Sequence, residues 1–93
     1  MPRLIVRDEF DERIVELDQE VVTAGRSKKN AIPIRDEHSS REHCEVRRTQ
    51  DGFILVDLNS RNGTLVNGCP VNQHKLRHGD KIEVGDTLMI FTS

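Results

Sequence analysis

Four turn-forming dipeptides, Asp51-Gly52, Asn67-Gly68, Gly79-Asp80 and Gly85-Asp86, cut the second half of the chain into short runs of alternating apolar and polar residues. Each joins a glycine to a short polar residue that hydrogen-bonds its own backbone, so each reads as a turn. Between them lie Phe53–Asp57, Thr64–Val66, Pro70-Val71, Lys81–Val84 and Thr87–Phe91, brief and rich in β-branched residues. The first half repeats the pattern in Arg3–Arg7, Arg13–Leu17, Val21–Ala24, the Ile32/Ile34 pair and Cys44–Arg47. No window repeats its apolar residues at the helical period, so no helix is predicted. Runs recurring about every 8–12 residues predict an all-β sandwich or barrel, with tight hairpins at Asn67-Gly68 and Gly85-Asp86.

A chain of 93 residues makes one small domain, read as filling residues 1–93. Such a domain has no volume for a large internal cavity, so function belongs on loops that a rigid sheet can position. A net charge of −2 and an aromatic content of three phenylalanines exclude a general nucleic-acid surface. No run approaches the ~18 apolar residues of a membrane helix, and MPRLIVRDEF lacks the apolar core of a signal peptide, so a cytoplasmic protein is expected. Cys44 and Cys69, with no CxxC spacing, read as a buried apolar side chain and an exposed thiol rather than a disulfide framework.

The stretch His38-Ser-Ser-Arg-Glu-His43 admits three chemistries. A serine nucleophile would need a histidine base, a carboxylate and oxyanion donors, and no GxSxG elbow is present. A metal held by His38 and His43, or by His74 and His78, would need ligand spacing that these loop histidines lack. The third chemistry is anion binding, and it gains from the rest of the chain. Ala24-Gly25-Arg26-Ser27 and Asn59-Ser60-Arg61-Asn62-Gly63-Thr64 place two more arginines, with hydroxyl and amide neighbours, at the mouths of strands. Guanidinium forks and hydroxyl donors suit a phosphate, and Gly25 and Gly63 would let the backbone turn tightly and approach it.

In order along the chain, GRS at 25–27, NAIPI at 30–34, SREH at 40–43, DLNSRNGTLVNG at 57–68 and LRHGDKI at 76–82 resemble the forkhead-associated (FHA) domain. The resemblance implies an FHA-type β-sandwich of about eleven mostly antiparallel strands with its binding loops at one end. It also implies a module in Ser/Thr-kinase signalling that binds a phosphothreonine-containing protein or peptide, without catalysis, metal or cofactor. Carried over by position, Arg26 contacts the phosphate, the Ser40 hydroxyl donates to it, and Arg41 completes the clamp. Arg61 and Asn62 meet phosphate and peptide, with Asn62 bonding the ligand backbone. His43 braces the serine loop, Asn67 and Gly68 shape the loop beside it, and Gly25 and Gly63 are backbone-permissive. His38 and Arg61 are placed to meet ligand residues beyond the phosphate. Two rival readings stand beside this one: an FHA-like scaffold for phosphate-independent association, its arginines consumed in ion pairs, and a small hydrolase using Ser40 and His43.

Overall fold

The computed structural model describes residues 1–93, which form eleven strands and no helix. In chain order these are β1 (Arg3–Arg7), β2 (Glu12–Glu16), β3 (Val21–Gly25), β4 (Ile32–Pro33), β5 (Cys44–Thr49), β6 (Gly52–Asp57), β7 (Thr64–Val66), β8 (Cys69–Val71), β9 (Gln73–Lys75), β10 (Lys81–Val84) and β11 (Thr87–Thr92). They pair into a six-stranded sheet ordered β2-β1-β11-β10-β7-β8 and a five-stranded sheet ordered β4-β3-β5-β6-β9. Every pairing is antiparallel except β3 with β4, which bring Ala24 and Gly25 beside Ile32 and Pro33 in parallel.

Strict alternation along the strands sends one set of side chains between the sheets. Leu4 and Val6, Val22 and Ala24, Cys44 and Val46, Phe53 and Leu55, Ile82 and Val84, and Met89 and Phe91 are all buried there. Leu17, Ile32, Ile34, Val66 and Leu76 close the ends of that core. Phe53 and Phe91 meet across it with ring centroids 5.8 Å apart in a tilted arrangement. Strand β2 lies at a sheet edge: Ile14 is 58% exposed, while Arg13, opposite Val6, turns inward and donates to the Pro33 carbonyl at the far sheet. Cys44 is fully buried, and burial, with Asp57 and Glu45 nearby, pushes its thiol up to about 12, which keeps it inert.

Ten strands follow the runs expected from the sequence. The eleventh, β9, is an addition: Gln73–Lys75 carries no β-branched residue and exists because it pairs with Ile54–Val56 of β6. His74 therefore stands on a strand rather than in a loop, with its Nε2 3.0 Å from Asp80 Oδ2.

The order β3-β5-β6 positions the loops. Ala24 lies beside Cys44 and Cys44 beside Asp57, so β3 ends, β5 begins and β6 ends in one row. The segments 26–31, 34–43 and 58–63 consequently emerge together at one end of the sandwich. The last of these crosses from the five-stranded sheet to β7 of the six-stranded sheet.

Candidate functional site

Arg26 is the first residue beyond β3, and its amide donates to the Ser40 carbonyl at 2.9 Å. The next amide, of Ser27, donates to the Arg41 carbonyl at 3.1 Å, which also accepts from Asn30 Nδ2 at 2.7 Å. The loop after β3 and the serine loop are thus laced together through backbone. Gly25 makes that lacing possible in a way the sequence did not reveal. It sits in the extended end of β3, where an added Cβ would lie 2.2 Å from the Arg41 carbonyl oxygen and 2.9 Å from the His43 nitrogen. The close approach that requires glycine is by the protein's own serine loop. Gly63, in contrast, is required by its φ of 84°, in open space.

The two serines of the loop are not equivalent. Ser39 is 4% exposed, and its hydroxyl donates inward to the Asp36 carbonyl at 2.6 Å. Ser40 keeps its carbonyl on the Arg26 amide, its N–H on His43 Nδ1 at 3.0 Å, and its Oγ as acceptor of the Arg61 N–H at 2.9 Å. The only donor that Ser40 has left is its hydroxyl proton.

His43 is fully buried and spans two loops. Its Nδ1 accepts from a backbone amide, so the proton is assigned to Nε2, which donates to the Gly63 carbonyl at 2.8 Å. With both nitrogens committed to backbone, neither faces Ser40 Oγ, and the geometry of a serine–histidine nucleophile is absent. The same commitment leaves His43 no nitrogen for a metal.

Asn62 Nδ2 reaches across to the His38 carbonyl at 2.6 Å. One N–H of the amide expected to meet a ligand is therefore already holding the serine loop, which leaves Oδ1 as an acceptor and the second Nδ2 proton as a donor for a peptide backbone. Asn67 and Gly68, with φ of 51° and 84°, form the tight turn of the β7–β8 hairpin. Their contacts differ from those expected. Asn67 Nδ2 donates to Asp80 Oδ1 at 3.0 Å and its Oδ1 accepts the Lys81 N–H at 3.1 Å, so it braces the turn before β10 rather than the loop around Arg61.

Arg26, Ser40, Arg41, Arg61 and Asn62 line one open cleft, with Glu37 and His38 along its rim. No ion pair in the molecule involves Arg26, Arg41 or Arg61. Their guanidinium groups have no acceptor in the protein, unlike that of Arg35, which pairs with Asp8 and Asp11 at 3.1 and 2.7 Å. Three unpaired cations and an unspent hydroxyl proton face the same space. Their chemistry is that of a receptor for a compact multivalent anion.

Several residues that build the cleft went unsingled in the sequence. Asp36 Oδ1 accepts the His38 N–H at 2.9 Å and its Oδ2 accepts the Asp86 N–H at 2.5 Å, tying the serine loop to the β10–β11 hairpin. Those two amides hold the Asp36 carboxyl below its usual range against the opposing effect of burial. Asn30, Asp57, Ser60 and Thr64 are similarly committed beneath the loops. The signal available was modest: Asp36 stands two residues before His38 and Asp57 three before Ser60, spacings at which a carboxylate reaches a backbone amide.

A β-sandwich with an arginine–serine cradle on the loops of one end defines a class of anion-reading binding modules. The chain belongs to the forkhead-associated family: the FHA domain model matches residues 22–85. It is 43% identical over 75 residues to the oxoglutarate dehydrogenase inhibitor of Corynebacterium jeikeium, covering 81% of this chain and 52% of that protein. It is 39% identical over 75 residues to the glycogen accumulation regulator GarA of Mycobacterium tuberculosis, covering 81% of this chain and 46% of that protein. The chain thus spans about half the length of these relatives. Among solved structures, an FHA domain characterised for phosphothreonine-dependent interactions superposes with a TM-score of 0.91 at 33% identity, covering 99% of this chain and 95% of that one.

Proposed function

We propose that this chain is a phosphothreonine-dependent peptide-binding module acting in Ser/Thr-kinase signalling in the cytoplasm, where it regulates partners by binding them and catalyses nothing itself. The observation that carries the reading is the convergence of Arg26, Arg41 and Arg61, none of them paired with a carboxylate, around the free proton of Ser40. A phosphate supplies about −1.5 to −2 charge and three acceptor oxygens, where aspartate supplies one charge and two oxygens. Three charge-assisted bonds at roughly 1.5–3 kcal/mol each, against an association cost of at least ~4 kcal/mol, need contacts to the peptide backbone as well. Asn62 Oδ1 is placed to supply one. The expected affinity is on the order of micromolar. A preference for threonine over serine rests on burying one methyl, worth about 1 kcal/mol.

The relatives are named as an enzyme inhibitor and a metabolic regulator, roles that fit a module acting by occupying a partner. The unpaired arginines speak against the scaffold alternative, which needs them consumed in ion pairs. An NMR titration with a phosphothreonine peptide pool and its unphosphorylated counterpart separates the two. The proposal expects shifts at Arg26, Ser40, Arg61 and Asn62 with the phosphorylated pool alone. Equal shifts with both pools, or shifts confined to the sheet faces, would favour the scaffold.

A further inference from the structure

We propose that Asp57 is a positioning residue for phosphate recognition: through Ser60 it holds the Arg61 amide against the Ser40 oxygen, so that the Ser40 hydroxyl has only its proton to offer the ligand. The inference rests on the phosphate-binding reading above and extends it to residues that line the underside of the loop.

Asp57 is the last residue of β6, at the root of the loop that carries Arg61 and Asn62. Its Oδ1 accepts the Ser60 hydroxyl at 2.5 Å and the Thr64 hydroxyl at 2.7 Å, and its Oδ2 accepts the Ser60 N–H at 3.0 Å. An ionised carboxylate only accepts, so both hydroxyl protons must point toward it. The Ser60 oxygen, having given its proton to Asp57, then accepts the Gly63 N–H at 3.0 Å. Ser60 and Gly63 are thereby fixed relative to β6, and the two residues between them project from a closed turn. Arg61, next after Ser60, directs its N–H to Ser40 Oγ. A hydroxyl that accepts in one direction donates in another, and no other group of the protein takes the Ser40 proton. Asp57, an acceptor only, thus sets the direction of the Ser60 and Thr64 hydroxyls, and the Gly63 and Arg61 amides, which only donate, complete the chain to Ser40. Burial pushes this carboxyl up, but the Ser60 and Thr64 hydroxyls and the Ser60 amide outweigh it and hold it below the usual range, so the acceptor stays charged.

Two measurements test the role. The first needs no ligand: hydrogen exchange at the Arg61 amide should accelerate in Asp57→Asn and in Ser60→Ala as it does in Ser40→Ala, while amides of β5 and β6 stay protected. Unchanged Arg61 protection in a folded Ser60→Ala chain overturns the inference whatever binds the cleft. The second is a double-mutant cycle with the phosphothreonine peptide pool, followed by NMR into the millimolar range. Asp57→Asn should weaken binding about tenfold alone and less than twofold in the Ser40→Ala background. Equal weakening in both backgrounds would mean that Asp57 merely stabilises the loop, and would overturn the positioning role. A parent chain that binds no phosphothreonine would overturn the underlying reading, and is told apart by the ligand-free arm. Should Asp57→Asn fail to fold, Ser60→Ala takes its place in the cycle.

Discussion

Arg26 is bound to the fold by its backbone alone: its amide holds the Ser40 carbonyl, and its guanidinium has no partner. Substituting it should therefore separate binding from stability. Arg26→Lys replaces a bidentate fork with a point charge and should weaken phosphothreonine binding about tenfold, with thermal stability shifted by less than about 0.5 kcal/mol. Calorimetry for the peptide and a thermal melt for the fold check both halves. Its neighbour Gly25 should behave in the opposite way. A methyl there meets the backbone of Arg41 and His43, which cannot yield as a side chain tip would, so Gly25→Ala should destabilise by about 1–3 kcal/mol and loosen the serine loop. Denaturant unfolding measures this. The glycine, the arginine and the reactive-looking serine–histidine pair were all visible in the sequence as a motif. Hydrogen-bond direction was not: which serine keeps its proton, and which ring nitrogen accepts, depends on groups twenty or so residues away in the chain, Arg61 and Gly63 among them.

At the scale of elements, the strands that could be read were those whose own residues favour a pleated surface. Alternation alone placed β1, β3, β5, β6, β10 and β11, because each buries every second side chain in the same core. Strand β9 is defined by its partner rather than its composition, which is why Gln73–Lys75 passed as loop. The hairpin turn at Asn67-Gly68 was legible for the same local reason as the strong strands, yet its side-chain contacts lie with a turn distant in sequence. Asn67→Ala removes two bonds that hold Asp80 and the start of β10, and should cost about 1–2 kcal/mol of stability. Because Asn67 faces away from the cleft, peptide affinity should change less than twofold. A matched unfolding and binding measurement on that variant separates bracing of the fold from contact with the ligand.

The whole molecule is held at its loops by three carboxylates, Asp36, Asp57 and Asp80, each bonded to amides or hydroxyls of its own turn and each shifted below the ordinary value of 3.8. A carboxylate with a depressed folded-state pKa binds its proton more readily when unfolded. Its contribution is present in full above 3.8 and disappears as pH falls through the folded-state values. The share of stability supplied by these carboxylates should therefore be level from neutral pH to about 4 and fall steeply below it, whereas peptide affinity should already decline near pH ~6 as the phosphate takes up its second proton. Urea unfolding and peptide titration across that range should show two separate transitions. The topology explains why two of these anchors, Asp36 and Asp57, sit beneath the unpaired arginines: β3, β5 and β6 lie side by side and release their loops at one end. The most direct test of that arrangement is a calorimetric titration of the chain and of Arg26→Ala with phosphothreonine, phosphoserine and unphosphorylated peptide pools. Micromolar binding of the phosphothreonine pool, weaker binding of phosphoserine and none of the third, all lost in Arg26→Ala, is the predicted result. Equal binding of the unphosphorylated pool, or indifference to Arg26, would contradict it.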